Sequence, residues 1–73
     1  MSALPVVSGR ECAKALSKLG FQLLRQHGSH LVLRRNTPFA QLVVPEHKVL
    51  DRGTLRAIIR QADLTVEEFL KLL

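Results

Sequence analysis

Apolar residues recur first at helical spacing, then with period two, then at helical spacing again, and that order predicts the elements. Behind Ser8, the residues Cys12, Ala13, Ala15, Leu16 and Leu19 form one stripe, with Arg10, Lys14, Ser17 and Lys18 opposite. Ser8-Gly9-Arg10-Glu11 reads as a capping box, and Gly20 as the left-handed residue that stops the helix. This predicts a first helix over about 9–19. Residues 21–26 then read as a strand, His27-Gly28 as a tight turn, and 29–35 as the returning strand. Asn36-Thr37-Pro38 is a second turn, and 39–44 a third strand ended by Pro45. After a loop over 46–50, Asp51 is a good N-cap for a second helix carrying Leu55, Ile58, Ile59 and Ala62. Thr65-Val66-Glu67-Glu68 opens a short last helix with Val66, Phe69, Leu70 and Leu73 on one face.

The order α-β-β-β-α-α is an α+β class. A three-stranded antiparallel meander with helices on one face is the simplest way to bury these stripes. The faces of the sheet depend on register. If Gln26 pairs with Ser29, then Phe21, Leu23, Arg25, His30, Val32 and Arg34 share one face. Gln22, Leu24, Leu31, Leu33 and Arg35 then share the other. Both faces carry apolar residues, so alternation alone does not choose the core side.

At 73 residues the chain is expected to be one domain, and 47% hydrophobic content excludes a disordered basic tail. One cysteine, Cys12, excludes an intrachain disulfide framework and fits a reducing cytoplasm. No apolar run approaches a membrane span, and the N-terminus lacks the basic and apolar regions of a signal peptide. The net charge of +5 points to an anionic partner. It is uneven: residues 1–62 hold ten basic and three acidic side chains, a net of +7, and residues 63–73 a net of −2. Arg52, Arg56 and Arg60 recur every four residues and form a ridge beside the second helix's apolar stripe. Arg52, Gly53 and Thr54 lie at that helix's N-terminus, where free N–H groups suit a phosphate. A solvated face is the plainer reading of such a ridge.

The chemistry-bearing candidates are few. His27, His30 and His47 are the first suspects for acid–base work, because histidine titrates nearest physiological pH. His27 and His30 are three apart, and on an extended chain such residues point to opposite faces; only the turn rescues the pairing. Without a supporting second cluster, no metal site is expected. Cys12 sits on an apolar stripe and reads as a small buried hydrophobe. Ser29 and His30 are adjacent on a strand and diverge, which argues against a Ser/His pair.

Several of these residues together form a recognisable pattern. Gly20-Phe21, Arg25 and Gly28-Ser29-His30 are followed by Pro45-Glu46-His47 and then by the run Gly53-Thr54-Leu55-Arg56-Ala57-Ile58-Ile59-Arg60-Gln61-Ala62. From about residue 8 to 64 the chain resembles the HicA (YcfA-like) toxins of type II toxin–antitoxin systems. The resemblance implies a double-stranded-RNA-binding-domain-like α-β-β-β-α fold; residues 65–73 are a short helical extension beyond the core family pattern. It implies an mRNA interferase, a metal-independent endoribonuclease without cofactor, whose catalytic residue is the Gly-Ser-His histidine, here His30. It also implies a HicB-type antitoxin that covers the active site in a hetero-oligomer. Two departures stand out. An aromatic residue often follows the family histidine, where this chain has Leu31-Val32-Leu33, and a glycine often ends the second helix, where this chain has Asp63.

On that basis His30 is expected to carry a proton transfer. Arg25, Arg34, Arg52 and Arg56 are candidates to neutralise phosphate charge, with Thr54 at the helix start. Gly28 and Gly53 would let backbone approach the RNA, and Ser29 would orient phosphate or the imidazole. The alternatives are a non-catalytic RNA-binding module and a partner-docking subunit on the same fold.

Overall fold

A computed structural model describes residues 3–73. The elements are α1 (Gly9–Ser17), β1 (Gln22–His27), β2 (His30–Asn36), β3 (Phe39–Pro45), α2 (Arg52–Gln61) and α3 (Val66–Leu70). The strands form one antiparallel sheet in the order β1-β2-β3. α1 and α2 pack against β3, so the α+β arrangement with helices on one face is as the pattern predicts.

Each helix start is fixed by a local side chain. The Ser8 hydroxyl accepts from Glu11 N at 3.0 Å while Ser8 N donates to Glu11 Oε1 at 2.9 Å. Thr65 and Glu68 repeat that box at α3. The ends of α1 and α2 close by one mechanism with two different residues. At α1, Gly20 N bonds Ser17 O and Phe21 N bonds Leu16 O, with Gly20 at φ +92°. At α2, Asp63 N bonds Arg60 O and Leu64 N bonds Ile59 O, with Asp63 at φ +61°. Both are Schellman endings. Regular α-helix stops at Ser17, two residues short of expectation, because the last turn before Gly20 tightens to three-residue bonds such as Leu19 N to Leu16 O.

The core lies between the helices and the inner face of β2 and β3. Leu31, Leu33, Leu42 and Val44 meet Cys12, Ala15, Leu16, Leu55, Ile58, Ile59 and Phe69, with Leu4, Val7 and Leu50 sealing one end. Gly9 makes the closest approach in this layer. A Cβ there would sit 1.9 Å from the Pro45 carbonyl oxygen, and Gly9 N donates to His47 O at 2.9 Å. The start of α1 therefore lies directly on the end of β3, a contact only glycine permits.

Register differs from expectation at two points. The β1–β2 turn is Gly28-Ser29, not His27-Gly28, so His27 pairs with His30 where Gln26 was expected to pair with Ser29. Gly28 takes φ +56° at the first turn position, the placement a two-residue hairpin loop favours for glycine. This moves the pairs of Arg25 and Gln26 by two positions, which preserves their face. Arg25, His30, Val32 and Arg34 therefore still lie together on the sheet face opposite the helices. The second difference is a β-bulge between Leu23 and Arg25. It shifts the face of the residues before it. Leu23 now pairs with Leu33, whose side chain is in the core, and Gln22 pairs with Arg34 on the open face. Phe21 is buried in the core at 2% exposure, with the Arg35 guanidinium 4.6 Å from its ring centre. The bulge, not alternation, thus sends Phe21 inward.

Candidate active site

The β1–β2 hairpin holds His30, and its turn is braced from both sides. Gln26 Nε2 donates to Gly28 O at 2.9 Å and to Glu46 Oε1 at 2.8 Å. Glu46 N donates to Ser29 O at 2.6 Å, and the Glu46 carboxylate is ion-paired with Arg10. Glu46 therefore links the hairpin mouth to α1. Pro45, Glu46 and His47 act here mainly through backbone and carboxylate: Pro45 pairs with His30, and His47 O receives the Gly9 N–H.

His27 and His30 are directly opposed Cα partners at the last rung of the hairpin, and both are exposed. A two-residue turn places positions i and i+3 side by side, and this turn is what brings the two rings to one face. Opposed residues of an antiparallel pair have Cα atoms about 4.5–5.5 Å apart, so their side chains address the same small volume. Neither ring is held by a hydrogen bond to another described residue. Among the described residues no group of three or more His, Cys, Asp or Glu side chains comes together as a metal site would need. His47 is also exposed, but lines a separate groove with Ser8, Arg10, Glu46 and Lys48.

The remaining candidates divide into two sets. Arg25 pairs with Val32, two positions from His30 along β2, and Arg34 lies two positions further, all on the open face. Gly28 and Ser29 form the turn itself. No atom lies within 4 Å of a Cβ built on Gly28, so its glycine serves turn conformation and not packing. Arg52, Gly53, Thr54 and Arg56 belong to α2, in the helical layer. No hydrogen bond, ion pair or cavity joins this second set to His30 among the described residues. Arg52, Arg56 and Arg60 are solvent-exposed as the ridge predicts.

The start of α2 already carries an anion. Asp51 Oδ2 accepts from Thr54 N at 3.2 Å. The Thr54 side chain and backbone hydrogen bonds hold the Asp51 carboxyl below its usual range. A carboxylate thus occupies part of the position expected to receive phosphate. Cys12 is fully buried, and that burial pushes its thiol up to about 12, so it is protonated at neutral pH and is no nucleophile.

Sequence reasoning misses three features of this region. The His27–His30 rung depends on the turn type, Gln26 on a contact twenty positions away, and the Gly9 approach on tertiary packing. Only the first has a local signal, the left-handed preference of Gly28.

Two layers in the order α-β-β-β-α, with an exposed hairpin and a basic open face, define a double-stranded-RNA-binding-domain-like α+β protein. The chain belongs to the HicA toxin family: the family model described as the HicA toxin of bacterial toxin–antitoxin matches residues 9–64. It is accordingly the toxin of a toxin–antitoxin pair. No curated protein gives a significant match. No helix among the described residues is long and apolar enough to cross a membrane. α3 lies beyond the matched span, yet its Phe69 is fully buried in the core.

Proposed function

We propose that this toxin is a metal-independent endoribonuclease that cleaves mRNA in the cytoplasm, with His30 as a catalytic residue, and that a HicB-type antitoxin neutralises it by binding over the hairpin. The observation that carries this reading is the exposed His27–His30 rung at a braced hairpin mouth, next to Arg25 on a face open to a polymeric substrate.

RNA supplies its own nucleophile, the 2′-hydroxyl. One imidazole takes the 2′-OH proton as the oxygen attacks the adjacent phosphorus. The P–O5′ bond breaks, and the other imidazole protonates the leaving 5′ oxygen. The products are a 2′,3′-cyclic phosphate and a free 5′-hydroxyl. His30 carries one transfer and His27, directly across the rung, the other; each such transfer contributes roughly 10²–10⁴-fold. Arg25 stabilises charge on the pentacoordinate phosphorus, with Arg34 further along the same face. Ser29 and Gly28, at the turn, lie close enough for the backbone to touch the phosphate. Arg52 and Arg56 contribute to RNA affinity from the helical layer, as long-range attraction for the polyanion, with Gly53 and Thr54 beside them at the helix start.

The test compares mRNA cleavage by wild type, His30→Ala and His27→Ala. His30→Ala should lose about 10²–10⁴-fold in rate. His27→Ala should lose less or as much, and its pH–rate profile should keep only one limb of the wild-type bell. Equal cleavage by wild type and His30→Ala would remove the catalytic assignment and leave an RNA-binding or docking module.

A further inference from the structure

The face of the sheet opposite the helices extends well beyond the residues that the catalytic step uses. Its residues, from one end to the other, are His27, His30 and Pro45; then Arg25, Val32 and Val43; then Gln22, Arg34 and Gln41; and last Asn36 and Phe39. Among the described residues this face carries no acidic side chain, while two arginines and two histidines project from it. Val32 is 6% exposed but lies outside the main core cluster, so it forms the apolar floor of the face. Val43 beside it is 47% exposed. Phe39 is 68% exposed at the far end. The chain has three phenylalanines and no Trp or Tyr. Phe21 and Phe69 are buried, so among the described residues Phe39 is the one phenyl ring free to meet a ligand.

We propose that this face is a track for single-stranded RNA that runs from the His27–His30 rung to Phe39, and that Phe39 stacks on a base about four nucleotides from the scissile bond. The proposal rests on the ribonuclease reading and adds where the substrate lies. Pro45, beside His30, and Phe39 are six positions apart in β3, which is about 20 Å of strand. Arg25 and Arg34 fall between them at successive rungs, about 7 Å apart along the strands. The order along the track is therefore proton-transfer groups, cation, cation, aromatic. A positively charged groove with an aromatic platform is how single strands are held without demanding a sequence, and about four nucleotides is at the short end of such sites. The absence of any carboxylate on the face favours a polyanion. An extended acidic polypeptide is the competing occupant, and the test separates the two.

Labelled oligoribonucleotides of two to eight residues are titrated against the full chain carrying His30→Ala, so that binding is read without turnover. Phe39→Leu keeps an apolar side chain but loses the π face. It should weaken binding of oligonucleotides longer than about four residues by roughly tenfold and leave dinucleotide binding unchanged. Phe39→Trp should retain affinity, and its fluorescence should be quenched by the longer oligonucleotides only. Phe39 is exposed, so both variants should fold; circular dichroism checks this. Equal affinity of Phe39→Leu and the parent at every length overturns the track while leaving the His30 cleavage result standing. Unchanged RNA binding together with lost binding of the purified antitoxin assigns the face to a protein partner and also overturns it. If the parent binds no RNA and the wild type cleaves none, the ribonuclease reading itself has failed.

Discussion

The two halves of the sheet are built for different purposes. β2 and β3 are backed by α1 and α2, and their inner residues Leu31, Leu33, Leu42 and Val44 are all 3% exposed or less. β1 has no such backing. All six of its residues are exposed, including Leu23 at 56% and Leu24 at 41%. Yet β1 is held in a defined register by the bulge, the Gly28-Ser29 turn and the Gln26–Glu46 bond. The comparison teaches that the backed half supplies stability, and that the unbacked hairpin spends little of it to present His27, His30 and Arg25 to solvent. If that division holds, chemistry and stability can be lost separately.

The largest separation is expected between His30→Ala and Phe69→Ala. The first should lose cleavage by about 10²–10⁴-fold with an unchanged melting temperature, since the His30 side chain is exposed. The second should lose about 3–5 kcal/mol of stability in a denaturant titration, because a buried ring leaves a cavity. For a domain of this size that is a large share of the total. It would also show that α3, outside the matched family span, is part of the folding unit. A His30→Ala protein that melts well below wild type would break the division.

Gly9→Ala should follow, at roughly 2–3 kcal/mol, because its Cβ would collide with the Pro45 carbonyl and push α1 off the end of β3. Since the Glu46 brace sits at the same junction, cleavage should fall as well; loss of stability with wild-type cleavage of the folded fraction would uncouple brace and hairpin. Asp63→Gly should act in the opposite direction. It relieves a left-handed non-glycine residue and should stabilise by about 1 kcal/mol, read as a rise in melting temperature without change in cleavage.

The smallest effect is the acid response of the α2 cap. Asp51 has its pKa lowered by Thr54, so its contribution is complete above the ordinary aspartate range and is lost as pH falls through the lower folded-state value. Between about pH 5 and pH 2, wild type should lose more stability than Asp51→Ser, whose neutral cap does not titrate. Parallel acid curves for the two proteins would show that the cap's charge is immaterial.

Much of this molecule is legible in the chain itself. The capping boxes at Ser8 and Thr65, the Asp51 cap, the apolar stripes of α1 and α2 and the three strands follow from local chemistry, because each depends on residues three or four apart. Cys12 follows from its stripe, and the Gly-Ser-His motif directs attention to His30. Tertiary structure alone decided the rest. Both sheet faces are partly apolar, so alternation could not choose the core side; the helices chose it by covering Leu31, Leu33, Leu42 and Val44. The bulge after Leu23 reversed the faces of Phe21, Leu23 and Gln22, and no local propensity marks it. The His27–His30 rung and the acid-free face ending at Phe39 are properties of register. Register is a sum of pairings across strands and of burial on one side, and no single segment of the chain contains it.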